Sequence, residues 1–304
     1  MKFEIDSEIT LRKLEIFLAF IQSGNISKAA ELLDTSPVSV HRALHSLEQG
    51  MKCQLFRREG RALMPTAAAA LLAETAREVI DAMARGISLT RAAAGISSDR
   101  LRIGSLYSLT ADIAPQVITQ LKARRPELRI ELVLGSNDDL LDKLNRSQID
   151  AVLMGIPSGE PHAFEVVPLF EDEIYFACPA DSSQPLPDEI DLRDYREADF
   201  VALTDGFVTY HGFLEAFRIA GFTPKIVSQA SDIFSLISLV SAGMGFTLLP
   251  GRVKDALGNR VRLVPLAPRF RMRQTIGLLF LHAREHDPTL LSLAAVCRQI
   301  WRQR

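Results

Sequence analysis

Ser39, His41, Arg42 and His45 stand close together in the chain. A helix would hold them on one polar face, opposite Val40, Leu44 and Leu47. Hydroxyl, imidazole and guanidinium groups arrayed in that way can hydrogen-bond to phosphates or to base edges. A second chemical signal lies in three loops, each following a run of strand-like residues. They are Gly104-Ser105-Leu106-Tyr107-Ser108-Leu109-Thr110, Gly135-Ser136-Asn137, and Leu203-Thr204-Asp205-Gly206-Phe207-Val208-Thr209-Tyr210. Hydroxyl donors and free backbone N–H groups at helix N-termini suit a small anion, notably a carboxylate. Ser105, Tyr107, Ser108, Thr110, Ser136, Asn137, Thr204, Gly206 and Thr209 are therefore the candidate ligand-binding residues. Taken singly, the Ser, Thr and Asn side chains would serve as helix caps. Convergence on one cleft is what would give them a shared role.

The first array needs a helix-turn-helix to present it. Ile26, Ala29, Ala30, Leu32 and Leu33 form one apolar face that ends near Asp34. The next helix opens with Ser36 as N-cap and Pro37 at the first helical position. Small Ala29 and Ala30 allow the two helices to cross closely. Alone, this describes an ordinary helical hairpin as well as it describes a DNA reader. The flanking segments separate the two. Leu11, Leu14, Phe17, Leu18 and Ile21 predict a preceding helix, stopped by Ser23-Gly24, that completes a three-helix core. Beyond it, the apolar pairs Leu55-Phe56 and Leu63-Met64 flank a polar tip, Arg57–Arg61, with Gly60 as its turn residue. That pattern predicts a β-hairpin wing with outward arginines. From Arg42 to Arg61 five Lys or Arg face two acids, a locally basic segment in a chain of net charge −2.

These residues carry a resemblance. Leu14, Phe17, Ala19-Phe20, Gly24-Asn25, Ala29-Ala30, Leu33, Ser36, Val40, Arg42-Ala43, Leu47-Glu48, Leu55-Phe56, Arg58, Arg61 and Thr66 follow a characteristic order and spacing. In both respects they resemble the DNA-binding half of LysR-type transcriptional regulators. The resemblance implies double-stranded operator DNA as partner, contacted by Ser36, Pro37, Val38, Ser39, His41, Arg42, Arg58 and Arg61. Pro37, Val38, Ser39 and His41 would face base edges; Arg42, Arg58 and Arg61 would face phosphates. The sequence departs from the family at His41, where Ser is usual, and at Pro37-Val38, where Gln-Pro often opens the helix. No operator sequence carries over.

Residues 67–95 read as one long helix with an apolar stripe of Leu72, Ala76, Val79, Ile80, Met83 and Ile87. A narrow stripe on a polar helix predicts pairing of two copies, although a helix covering its own domain has the same pattern. The resemblance implies a linker helix and a homodimer or homotetramer, with Leu72, Ala76, Val79, Met83 and Ile87 as dimerisation residues. Gly95-Ile96-Ser97-Ser98 then reads as a hinge. From Arg100 strands alternate with helices, which predicts a mostly parallel sheet with right-handed crossovers. The expected architecture is α/β with an all-α, winged N-terminal domain. It comprises a winged helix-turn-helix (residues 9–66), a linker helix (67–95) and a two-lobed domain (99–304) resembling the periplasmic-binding-protein-like effector domain of the family. Lobe I is expected over residues 99–168 and 274–304, lobe II over 169–273, with the ligand between them beyond the strand ends.

Within the family, GSLYSLT, LGSNDDLL, SDIFSLISLVSAG, LLPGR and the opening MKFEIDSEITLRKLEIFLAF are similar to the branch that governs malonate use. This implies malonate as effector, RNA polymerase as a further partner, and activation of malonate-catabolism genes. One feature opposes it: no Arg or Lys lies in the three loops, although a dianion would favour one. His211 is then the nearest cationic candidate, and Asp205 is expected to point outward. Another small organic acid is the alternative effector.

Composition narrows the remaining classes. The chain has 304 residues, 47% hydrophobic and 24% charged, enough for two or three domains with real cores. The start has no apolar signal region and no apolar run approaches a membrane span, so a cytoplasmic protein without membrane association is expected. Cys53, Cys178 and Cys297 are scattered, forming no metal spacing, and read as packing residues in a reducing compartment. There is no GxSxG elbow and no glycine-rich dinucleotide motif, so neither an enzyme nor a cofactor is expected. Replacing His41 by Ser should change the preferred base, at about 1–3 kcal/mol per reading contact. Arg61→Ala should instead weaken binding to every sequence and flatten its salt dependence. Operator titrations at several salt concentrations distinguish the two, and an unchanged salt slope for Arg61→Ala would remove the wing assignment.

Overall fold

The computed structural model describes residues 5–60, 62–96, 99–157, 163–181, 187–254, 258 and 260–302. The chain divides into two compact units, residues 1–88 and 89–304. Among the described residues no helix is long and apolar enough to cross a membrane.

In the first unit, α1 (Leu11–Ser23), α2 (Ile26–Leu32) and α3 (Pro37–Met51) form the expected three-helix core. Each boundary has a local cause. The Thr10 hydroxyl caps α1, and Gly24 ends it at φ 63°, a left-handed conformation that costs glycine little. The Asn25 side chain accepts from the N–H groups of Ser27 and Lys28 to start α2. Phe17, Phe20, Ala29, Ala30, Val40, Leu44 and Leu47 are buried together with Leu55 and Phe56. Leu32 departs from the expected inward face and is 62% exposed, because Ala29 and Ala30 already occupy the side of α2 that meets its neighbours. The wing consists of β1 (Phe56–Glu59) and β2 (Ala62–Pro65), paired antiparallel. Phe56 stacks edge-on against Phe20 at 5.1 Å and anchors the wing to α1. Helix α4 runs from Ala67 to Ala93.

The second unit holds two lobes. In lobe I, β3 (Arg100–Leu106) lies parallel to β4 (Arg129–Gly135) on one side and to β5 (Ala151–Gly155) on the other. Helices α5 (Ile113–Arg124) and α6 (Asn137–Asn145) provide the crossovers. A short 3-10 turn, Tyr107–Leu109, precedes α5, which begins at Ile113. Strand β6 (Phe164–Pro179) then traverses both lobes. Its first part pairs with β11 (Arg273–Leu281), which also pairs with β5. Its second part pairs with β9 (Thr247–Pro250) and β10 (Val261–Pro265). The partner changes between Glu173, opposite Arg273, and Ile174, opposite Pro250. The lobes therefore change over five residues beyond the expected position at 168. Pro168 reads as punctuation in the sequence, yet it sits within β6 beside a register shift in β11, a place where a missing N–H is tolerated.

Lobe II adds the parallel pair β7 (Asp199–Leu203) and β8 (Lys225–Ala230), with α7 (Val208–Ala220) and α8 (Ile233–Ser241). Alternate residues of its strands enter different clusters. Phe176, Cys178, Phe200, Ala202 and Leu248 join Phe213 and Phe217 of α7, whereas Ala177, Val201, Leu203 and Leu249 join Leu236 and Ile237 of α8. That period of two places the sheet between the two helices. The last helix, α9 (Pro288–Arg302), returns to lobe I, where Leu290, Leu293, Val296, Cys297 and Ile300 are buried. Burial pushes the Cys297 thiol up to about 12. Cys178 is also buried, but Cys53 is exposed and is no packing residue.

Lobe I also holds a buried polar network. Arg284 bridges Asp150 at 2.7 Å and Asp287 at 2.6 Å, and the Asp287 carboxylate accepts from the Thr289 N–H at the start of α9. Burial would raise the Asp150 pKa, but hydrogen bonds and charge from Arg102, with the charge of Arg284, hold it below the usual carboxylate range. A carboxylate depressed in the folded state stabilises that state above its unfolded pKa of about 3.9, and the contribution disappears as pH falls through the folded value. Asp150→Asn should therefore lower stability at neutral pH and make denaturation less steep below about pH 4. Urea denaturation at a series of pH values checks this; identical pH curves for the two proteins would contradict it.

Candidate DNA interface and ligand cleft

Helix α3 buries Val40, Ala43, Leu44 and Leu47 and leaves Ser36, Pro37, Val38, Ser39, His41 and Arg42 exposed. Val38 is 67% exposed, an apolar contact surface with nothing of its own unit over it. The Ser36 hydroxyl accepts from the Ser39 N–H at 3.1 Å and shares a 2.8 Å hydrogen bond with the Ser39 hydroxyl. Ser36 thus caps the helix, and its polar capacity is partly used. Arg58 on β1 is exposed, while neighbouring Arg57 pairs with Glu59 at 3.0 Å. Arg61 lies outside the described residues.

Glu48 was visible in the sequence only as part of a motif, and the structure gives it a physical task. Its Oε1 accepts from the N–H of Leu55 at 2.8 Å and of Phe56 at 3.1 Å. One carboxylate from α3 therefore sets where the wing leaves the core.

The apolar stripe of α4 divides in two. Ala76 is fully buried in the core of its own unit, with Ala69 and Ala73, and Leu72 and Ile80 pack against the same core. Ala76 presents no surface to a second subunit, because the first half of α4 covers the three-helix domain. Val79, Met83 and Ile87 are 40%, 46% and 45% exposed and follow one line along the helix at four-residue spacing.

In the second unit, the loops do not all turn inward. The Ser105 hydroxyl is buried and donates to the Leu106 carbonyl at 3.1 Å. Thr110 donates to the Tyr107 carbonyl at 2.7 Å, and Ser136 caps α6 by accepting from Asp139 N–H at 3.3 Å. These three hydroxyls serve local structure, as capping chemistry allows. Tyr107 is half-buried against the lobe II cluster that contains Val201, Leu203 and Phe207. Thr204 is half-buried, and its N–H donates to the Ala230 carbonyl.

The starts of α6 and α7 join the lobes through two hydrogen bonds. Asn137 is 3% exposed; its Nδ2 donates to the Gly155 carbonyl at 3.4 Å and its Oδ1 accepts from Val208 N–H at 3.1 Å, at the start of α7. The Gly206 carbonyl accepts from Asp138 N–H at 3.2 Å. Gly206 has φ +92°, which strains any L side chain, and an added Cβ would lie 3.2 Å from the Ser136 hydroxyl.

The cation that the three loops lack comes from elsewhere. Arg252 follows β9, and its side chain is only 5% exposed. Its Nε donates to the Ser108 hydroxyl at 2.9 Å, and its Nη1 donates to Asp172 at 2.7 Å and to the Gln274 Oε1 at 3.3 Å. Gln274 Nε2 in turn donates to the Thr209 hydroxyl at 3.3 Å. Ser108, Arg252, Gln274 and Thr209 thus form one hydrogen-bonded chain between a lobe I loop and the first turn of α7. Burial pushes the Arg252 pKa down, and Asp172 opposes that shift. A guanidinium still stays charged. Gly251 makes the approach possible, since a Cβ there would meet the Tyr175 ring at 2.9 Å and Asp172 at 3.1 Å.

His211 is not the cleft cation. It pairs with Asp205 at 3.3 Å on the surface, where the Asp205 side chain is 84% exposed and outward, as the sequence led us to expect. Arg252 was within reach of sequence reasoning, since it follows a strand end in LLPGR, the same criterion that selected the three loops. Asp172 and Gln274 carried no such signal, because both lie within strands and not in the loops that follow them.

Residues 11–70 match the bacterial regulatory helix-turn-helix protein, lysR family, and residues 94–302 match the LysR substrate binding domain. The chain belongs to the LysR family. It is 51% identical over 297 residues to the malonate utilization transcriptional regulator of Klebsiella pneumoniae, a match covering 97% of this chain and 96% of that protein. It is 30% identical to the Hca operon transcriptional activator HcaR of Escherichia coli (strain K12), covering 95% and 97% of the two chains. The solved structure of full-length CbnR in complex with its target DNA shares the fold, with a TM-score of 0.70 at 20% identity and coverage of 96% and 99%. This LysR-type chain is thus a DNA-binding transcriptional regulator with an effector-binding domain, and its family consists of regulators and not of enzymes. For its DNA-binding unit, Glu48→Ala should strand two buried wing N–H groups, at about 1–3 kcal/mol. Denaturation curves and operator binding should both weaken. Unchanged values would show that Phe56 packing alone sets the wing.

Proposed function

We propose that this LysR-type regulator responds to malonate and controls malonate-catabolism genes in the cytoplasm. Two independent facts support the reading. The first is the name and 51% identity of the Klebsiella relative over nearly the whole chain. The second, and the observation that carries the chemistry, is the buried Arg252 set among the neutral groups of Ser108, Gln274 and Thr209. A guanidinium with hydroxyl and amide neighbours in a low-dielectric cleft recognises a carboxylate by charge-assisted hydrogen bonds. In this reading Ser108, Thr209, Asn137 and Gly206 keep their ligand roles beside Tyr107 and Thr204, and Arg252 and Gln274 join them. Ser105, Thr110 and Ser136 support the loops.

The DNA-facing set is Pro37, Val38, Ser39, His41, Arg42, Arg58 and Arg61, with Ser36 capping the reading helix. Two such heads, paired through Val79, Met83 and Ile87, would read a two-fold operator, since a single winged helix contacts too few base pairs. Effector binding shifts the equilibrium only by its differential affinity for two arrangements, commonly about 1–3 kcal/mol. That is enough to alter DNA bending and polymerase contact without abolishing operator binding.

A second reading has a specific observation behind it. Arg252 is already paired with Asp172, so this part of the cleft is electrically balanced, which suits a monocarboxylate better than a dianion. Thermal unfolding of the full-length protein against millimolar mono- and dicarboxylates distinguishes the two. At a hundredfold excess over the dissociation constant, a ligand stabilises by about 2.7 kcal/mol. Malonate should give the largest rise in Tm. No rise with malonate and a rise with a monocarboxylate would transfer the effector assignment to the latter.

A further inference from the structure

Asp172 contacts no ligand in the recognition scheme above, although it is as buried as the arginine it holds. Its side chain is 7% exposed, and it accepts from both the backbone N–H and Nη1 of Arg252. It lies on β6 one residue before the strand changes lobes, so that both sheets meet at its position. Folding alone does not demand a charge there. Buried ion pairs of this kind contribute little net stability compared with well-packed apolar groups. The pair also leaves part of the guanidinium unused. Nε is taken by Ser108 and Nη1 by Asp172 and Gln274, while Nη2 has no hydrogen-bond partner among the described residues. The Arg252 side chain as a whole is 5% exposed.

We propose that Asp172 is a specificity-determining residue: a built-in counter-anion that competes with the effector's carboxylate for Arg252 and sets how much negative charge the cleft accepts. The inference rests on the reading of this cleft as the carboxylate site. A ligand carboxylate approaching Nη2 gains the guanidinium but meets the Asp172 charge across the same group. The opposing charges act at short range and away from bulk water, where screening is weak. Affinity for an anion is thereby held down, more for a dianion than for a monoanion, and a neutral amide of the same shape is unaffected. A regulator tuned in this way responds only when its acid is abundant.

The test is calorimetric titration of the full-length protein and of Asp172→Asn with malonate, acetate and neutral malonamide. The amide oxygen of Asn can still accept from Arg252, so geometry is kept while the charge is removed. Malonate should bind at least tenfold more tightly to Asp172→Asn, acetate should gain less, and malonamide should bind as it does to the parent. The mirror variant Gln274→Glu, which adds a charge beside the same Nη1, should weaken malonate by a larger factor than malonamide; it also serves if Asp172→Asn does not fold. Unchanged malonate affinity in the variant that folds, or an equal gain for malonamide, overturns the proposal. If the parent protein binds acetate but not malonate, the effector reading falls. The counter-anion role is then judged on acetate by the same comparison. If the parent binds neither acid, acquisition of anion binding by Asp172→Asn supports the proposal and its absence overturns it.

Discussion

Strand β6 belongs to two sheets at once, and the effector domain is arranged around that constraint. Its first residues add an edge to the lobe I sheet through β11, and its last residues lie between β9 and β10 of lobe II. A strand that changes partners must bring one sheet to an end where the other begins. Asp172 sits at this junction, where solvent is excluded by both lobes. A carboxylate buried there requires a cation, and Arg252 supplies it from the end of β9 at 2.7 Å. The remaining donors of the arginine then reach Ser108 and Gln274, and through Gln274 reach Thr209. The cleft is thus organised from its floor upward by an ion pair on the crossing strand.

The second junction between the lobes is made of neutral groups. Asn137 and Asp138, at the start of α6, meet Val208 and Gly206, at the start of α7, through two hydrogen bonds to backbone. Each bond uses a group that a helix N-terminus leaves without an intrahelical partner or a carbonyl of the preceding turn. Such bonds exchange readily for bonds to a ligand or to water, because their net contribution is only about 0.5–1.5 kcal/mol each. A charged floor and an exchangeable neutral rim are what a domain needs if its lobes are to shift on binding without coming apart.

The DNA-binding unit depends on a different economy of small residues and one carboxylate. Ala29 and Ala30 let α2 approach its neighbours, while Ala69, Ala73 and Ala76 let α4 lie on the same core. Glu48 then joins α3 to the wing through two backbone donors. The candidate reading helix and the hairpin that accompanies it are therefore held to one another through Glu48. The exposed line of Val79, Met83 and Ile87 is the apolar surface that α4 keeps after its first half has covered the three-helix core.

Much of this was legible in the amino-acid sequence because its physical causes are local. Helix periods, the Ser36 cap, the Gly24 stop and the Pro37 start depend on neighbours within a few residues, so α1, α2 and α3 could be read directly. The basic wing and the alternation of strands and helices were legible for the same reason, and the motif spacing pointed to the LysR family. Other features depend on partners far away in the chain. Pro168 looked like a break until β11 gave it an edge position. Ala76 looked like part of a seam until the three-helix core covered it. Ser105, Thr110 and Ser136 were interchangeable with Ser108 as hydroxyl-bearing loop residues until their hydrogen bonds were seen to be local. Asp172, Arg252 and Gln274 lie up to 102 positions apart, and nothing in the spacing of their residue types links them. Local propensity and pattern determined the elements and the kind of protein; only the pairing of β6 with both sheets decided which side chains meet in the cleft, because burial and charge pairing are properties of the assembled fold.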